Sequence, residues 1–195
     1  MDSDAIRIFG QLWNRSRRGE ADVAKVTAGR MTAQVDGDFV VFLIGMRVNK
    51  PWKLHKWIPV ATAMGPMLRL LSKERDRGLM SFTSWVGPSG PLIVQYWRSV
   101  EQLEAFARDQ SLPHRKAWQR FNKAVGESGD VGIWHETFEV RDGNYEVLYG
   151  NMPRVGFAMA GAFIPVRNSM RSSTQRRAQN AGSVEPELEQ NVVTP

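Results

Sequence analysis

The chain has 195 residues, 42% of them hydrophobic and 24% charged, with a formal net charge of +6. That is an ordinary soluble composition, long enough for one domain with a sizeable core and extra terminal segments. It holds no cysteine, which excludes disulfides, thiolate nucleophiles, zinc–thiolate sites and iron–sulfur clusters and fits a reducing, cytoplasmic setting.

Residues 1–30 are polar and basic around one helical stretch, Asp4 to Asn14. There Ile6, Phe9, Leu12 and Trp13 recur at helical spacing, so the segment reads as an N-terminal docking arm. The opening MDSDAIRIFG carries acids where a secretory leader has a basic region, and no signal peptide is expected. Much of the basic charge sits in Arg15-Ser16-Arg17-Arg18 and between Arg171 and Arg177. Neither run forms a recognisable nucleic-acid module, so both read as solvated termini and no nucleic-acid partner is expected.

Residues 31–166 read as one domain. Asp36-Gly37-Asp38 is a turn signal, and the run from Phe39 to Val48 predicts a strand. That run is nearly continuous in apolar residues, as in a strand buried on both faces. Asn49-Lys50-Pro51 stops it. A helix is predicted from about Leu54 to Arg75, with apolar spacing at Met64, Met67, Leu68 and Leu71. Pro59 and Pro66 belong at its start or at a kink, and Gly78 ends it.

A strand over Leu79–Val86, a Gly87-Pro88-Ser89-Gly90 turn and a strand over Pro91–Arg98 follow. Ser99, with Gln102 three residues on, has the capping-box pattern of a helix start. The helix carries Leu103 and Phe106, and Pro113 restarts it with Trp118 and Phe121 on one side. After a loop, Val131–Val140 predicts a strand, Asp142-Gly143 a hairpin turn and Asn144–Tyr149 a fifth strand. The apolar stretch Val155–Val166 is far below the ~20 residues that span a bilayer, so no membrane span is expected. Residues 167–195 lack large apolar groups and are expected to form a disordered tail.

The core order is β-α-β-β-α-β, the ferredoxin-like order of an α+β fold. Two helices on one face of the sheet leave the other face, aromatic and apolar here, in need of a cover. A homodimer placing a second sheet there would make a dimeric α/β barrel. The alternative is self-coverage by the N-terminal arm and the Val155–Val166 segment.

No dinucleotide, Walker, nucleophile-elbow or H-E-x-x-H motif occurs, and the histidines show no metal-ligand spacing. His135 and Glu136 are strand neighbours, so they point to opposite faces. Ile133, His135 and Thr137 share one face; Trp134, Glu136 and Phe138 share the other. His135 is a candidate general base or iron ligand, or else a hydrogen-bonded histidine that fixes strand geometry. Glu136 is a candidate catalytic carboxylate, or a structural one. His114 stands at a predicted helix start, which favours the neutral imidazole and suits a base or a ligand; a capping role is the alternative. His55, between Trp52 and Trp57, reads as a loop histidine packed on aromatics. Trp97, Trp118, Trp134, Phe138 and Tyr145 are candidate walls for an apolar substrate, with core packing as the alternative. Arg98 is a candidate for stabilising negative charge, yet alternation puts it on the face opposite Trp97.

Two strings carry a resemblance. YWRSVEQLEAFARDQSLPHRKAW, with Trp97, Ser99 and His114, resembles the strand–helix signature of antibiotic-biosynthesis-type monooxygenases in the dimeric α/β barrel superfamily. GIWHETFEVRDGNYEVLYGNMP is similar to a bacterial and fungal family of unknown function that includes a fumagillin-pathway monooxygenase. The resemblance covers roughly residues 30–166. It implies a ferredoxin-like homodimer and oxygenation of a hydrophobic small molecule, with no cofactor required. Other superfamily members bind heme, as heme-degrading monooxygenases, chlorite dismutases and aldoxime dehydratases do. Here His114 or His135 would be the axial ligand. No asparagine matches the catalytic one of the heme-degrading enzymes. Some members have no known catalysis, so a non-catalytic binding barrel is a third expectation.

Overall fold

The computed structural model describes residues 25–88, 90–109, 119, 121–122 and 125–182. The Asp4–Asn14 stretch, the Pro113 restart, His114 and Trp118 lie outside them. The strands are β1 (Thr27–Gln34), β2 (Phe39–Val48), β3 (Leu79–Gly87), β4 (Gly90–Trp97), β5 (Val131–Val140), β6 (Tyr149–Met152) and β7 (Ala162–Pro165). The helices are α1 (Leu54–Lys73), α2 (Val100–Arg108) and α3 (Ser173–Asn180).

The main sheet is antiparallel with order β3-β4-β2-β5. With α1 after β2 and α2 after β4, this is the split βαβ arrangement of a ferredoxin-like α+β fold. A smaller sheet, β6-β1-β7, was not foreseen as a sheet. β1 begins at Thr27, inside the segment expected as an arm, and extends to Gln34.

Local chemistry explains most boundaries. Ser99 caps α2, its Oγ accepting from the Gln102 backbone N–H at 3.3 Å. α1 runs as one helix through Pro59 and Pro66, each of which deletes one i→i−4 hydrogen bond. Gly90 turns the β3–β4 hairpin at φ 136°, and a Cβ there would lie 2.3 Å from the Met46 carbonyl oxygen.

The helix-side core falls into two clusters. Val40, Leu71, Leu79, Trp97 and Leu103 pack at one end. Met46, Trp57, Val125 and Val131 pack at the other. On the opposite face Phe39 packs with Ala33, Val35, Phe157 and Ala158, so the small sheet and the Gly156–Met159 turn cover one end of the main sheet. The chain's three tyrosines gather at this cluster, and burial pushes all three hydroxyls up from their ordinary pKa.

Two expectations require correction. Residues 144–148 are not a strand; the Arg141–Asn144 turn forms, but the chain then crosses to the small sheet, where β6 pairs with β1. Backbone carbonyls of the crossing segment are satisfied by side chains instead of a ladder: Val147 O accepts from Thr32 Oγ1 and Tyr145 O from Asn180 Nδ2. The expected disorder from residue 167 also fails as far as Gly182. Ser172 and Gln175 form a full capping box for α3. Arg176 is buried, ion-paired with Glu146 and bonded to the Met170 and Arg171 carbonyls. Arginine satisfied in this way supplies the docking that the segment's few apolar residues do not.

Asp130 ties the start of β5 to the β2–α1 connection. Its side chain is 2% exposed and meets Lys50 Nζ at 2.8 Å and Lys53 Nζ at 2.9 Å. Its carbonyl accepts from the Asn49 and Lys50 N–H groups. Hydrogen bonds from the two lysines, aided by their charge, lower its pKa to about 2. A folded-state pKa below the unfolded one contributes stability that is complete above ~4 and lost as pH falls through the folded value. Unfolding followed from pH 5 to pH 2 should therefore show a steeper acid loss in the wild type than in Asp130→Asn. Equal slopes would contradict the clamp.

Candidate functional site

A cavity of about 1220 Å³ opens between the helix-side face of the main sheet and the helices. It exceeds the ~300–1,000 Å³ typical of small-molecule sites. Phe42, Ile44 and Ile93 form its sheet floor; Ala61, Ala63 and Met64 of α1 and Leu103 and Phe106 of α2 form its walls. The alanines of α1 are too short to close the gap between the two core clusters. Polar side chains at the wall, among the described residues, are Gln95, Glu104, Arg108, His135 and Thr137.

β5 delivers His135 by register. Ile44 faces His135 and Phe42 faces Thr137 across the β2–β5 ladder. All four stand on the helix-side face. The His135 ring lies 5.7 Å from the Phe42 ring, centroid to centroid, at 37°. β5 is an edge strand, so His135 remains exposed along its outer side while bordering the cavity.

Trp97 is fully buried at the cavity wall, its ring 5.6 Å from that of Phe106. The other expected wall residues part company with it. Trp134, Glu136 and Phe138 point to the opposite face, as alternation requires, and do not line the cavity. Trp134 crosses Gly45, where a Cβ would sit 2.6 Å from its ring. Glu136 is therefore not placed to share chemistry with His135. Tyr145 lies off the main sheet; its hydroxyl accepts from Val35 N–H at 2.8 Å and donates to Val35 O at 3.2 Å. Arg98 points away, donating to Asp36 O at 2.7 Å. His55 is exposed on the first turn of α1 and outside the cavity. His114 and Trp118 lie outside the described residues.

Sequence reasoning missed Gln95 and Thr137 as wall residues. The signal was present: β4 alternates strictly in burial, with Pro91, Ile93, Gln95 and Trp97 buried. Choosing Trp97 for the cavity therefore also chooses Gln95.

Fold and site together define a ferredoxin-like α+β domain with a large, mostly apolar cavity under its helices. The chain belongs to the monooxygenase af470-like family, whose sequence profile matches residues 39–157. It is 30% identical over 149 residues to Monooxygenase af470 of Aspergillus fumigatus, covering 66% of this chain and 53% of that protein. The chain thus spans about half the length of this curated relative. Among solved structures, an aldoxime dehydratase in complex with butyraldoxime superposes with a TM-score of 0.48 at 16% identity, over 82% of this chain and 45% of the other. A conserved protein of unknown function from Bacteroides thetaiotaomicron, described as a possible oxidoreductase, superposes with a TM-score of 0.37 at 14% identity, over 54% and 99%. Among the described residues, no helix is long and apolar enough to cross a membrane.

Proposed function

We propose that the cavity binds a hydrophobic small molecule and that the chain oxygenates it without a cofactor, as a monooxygenase-like oxidoreductase. The observation that carries this reading is His135, an imidazole at the edge of an otherwise mostly apolar cavity. An apolar site next to a base suits removal of a proton from a C–H acid. The resulting carbanion gives an electron to dioxygen, and radical recombination forms a C–O bond. Loss of water from the protonated peroxide turns the original CH₂ into C=O. One oxygen atom enters the substrate, the other leaves as water, and the substrate supplies the electrons. His114 keeps its place as the alternative base. Labelled dioxygen tests the scheme on an electron-rich CH-acid such as an anthrone. One labelled atom in the product and catalysed oxygen uptake are expected; uptake equal to that without protein would sink it.

The same geometry favours a second reading, heme binding. Among the described residues His135 would hold the heme iron, and Arg108 at the cavity rim, paired here with Glu104, would supply positive charge for a propionate. Bound heme would supply redox or Lewis-acid chemistry, as in a dehydratase-like enzyme. Hemin added to purified protein should then give a Soret band that His135→Ala or His114→Ala abolishes. Protein that leaves the hemin spectrum unchanged would rule this reading out.

A homodimer belongs to the proposal as well. Trp85, Trp134 and Phe138 are exposed on the outer sheet face at 60%, 39% and 51%. Large aromatic side chains left exposed on one sheet face favour a partner. Sedimentation should give a dimer that Phe138→Glu dissociates; a monomeric wild type would contradict it. A cytoplasmic location rests on the cysteine-free composition.

A further inference from the structure

Gln95 is 2% exposed, and it belongs to the cavity wall. Trp97 Nε1 donates to Gln95 Oε1 at 2.8 Å. An indole N–H only donates, so it must meet the amide oxygen, and this settles which end of the amide is which. The amide nitrogen has no partner among the described residues. Nor is it sealed from the cavity: the fully enclosed unpaired side-chain atoms belong to Gln102, Gln179 and Asn180. The amide donor thus opens on the cavity with no protein acceptor, and a ligand oxygen that displaces water there would take its hydrogen bond.

We propose that Gln95 is the specificity-determining donor of the cavity, selecting apolar ligands that carry one hydrogen-bond-accepting oxygen of the ketone or quinone type. This rests on the cavity being the ligand site proposed above. Trp97 acts as the positioning residue, holding the amide so that N–H₂ and not C=O faces the ligand. Gln95 pairs with Phe42 in β2, which pairs with Thr137 in β5, and His135 lies two residues along β5. Strand spacing and rise put Gln95 and His135 about 12 Å apart at Cα on one face. A flat ligand anchored by its oxygen at Gln95 would therefore extend toward His135, so the donor also sets which carbon the base reaches.

The test is equilibrium dialysis of the full chain against 2-acetylnaphthalene and 2-ethylnaphthalene, which differ in the ketone. Without a donor in the site the ketone should bind more weakly, because its oxygen gives up water for nothing. The wild type is expected to bind the ketone about tenfold more tightly. Gln95→Met should erase that preference and leave ethylnaphthalene binding within about twofold, since the apolar wall is kept. Gln95→Glu is the second variant: above neutral pH it still accepts from the Trp97 indole but offers no donor, so it should also lose the preference. Both ligands binding the wild type equally, or a preference that survives in both variants, would overturn the role of Gln95. If the wild type binds neither ligand, the cavity reading itself falls, and the assignment of Gln95 with it.

Discussion

His135→Ala is expected to lower turnover by about 10²–10⁴-fold, the usual contribution of a positioned general base. Affinity for an apolar ligand should change little, because Phe42, Ile44 and Ile93 still form the floor. Folding should be nearly unaffected: His135 stands exposed on an edge strand, and its ring meets only Phe42 among the aromatic pairs of the described residues. The combination of lost turnover with retained binding separates a base from a wall residue. Steady-state oxygen uptake and ligand binding on the same preparation check it. Unchanged turnover would remove His135 from the chemistry and leave His114 as the remaining histidine candidate.

Trp97→Ala should destabilise the fold by about 3–5 kcal/mol, the range for deleting a large buried aromatic. Trp97 is fully buried with Val40, Leu71, Leu79 and Leu103, and its ring meets Phe106. Truncation opens a void where β4 meets α2 and also strips Gln95 Oε1 of its donor. For a chain of this size the loss corresponds to a fall of roughly 6–20 °C in Tm. Phe138→Ala is the contrast: with Phe138 51% exposed, its effect on the monomer should stay within about 1 kcal/mol. Thermal or urea unfolding of both variants reads the difference. Equal effects would mean that the aromatic core is not where the structure puts it.

The element order was legible because hydrophobic runs and turn residues coincide with it. Phe39–Val48 and Val131–Val140 were read to the residue, and Ser99 marked the start of α2. Strand alternation also separated His135 from Glu136 before any coordinates did. It was not carried through to the wall residues, where Trp134 and Phe138 were grouped with Trp97 although β5 sends them to the other face. The small sheet escaped because β6 and β7 are four residues each and pair with a distant β1. Pairing of that range leaves no local periodicity. Docking of α3 was hidden for a different reason. It depends on a buried arginine pairing with Glu146, and composition reads arginine as a solvated residue. The Ser172–Gln175 capping box was there to be read, as the similar Ser99–Gln102 pattern was.

The most direct measurement is the set of indole N–H resonances in a nitrogen-15-labelled sample titrated with 2-acetylnaphthalene. The chain has seven tryptophans, and the structure sorts three of them by face. Trp97 lines the cavity, while Trp85 and Trp134 are exposed on the outer face. A cavity-bound ligand should move the Trp97 signal and leave those of Trp85 and Trp134 in place. Movement of Trp85 and Trp134 with a stationary Trp97 would put the ligand on the outer sheet face and contradict the proposed site.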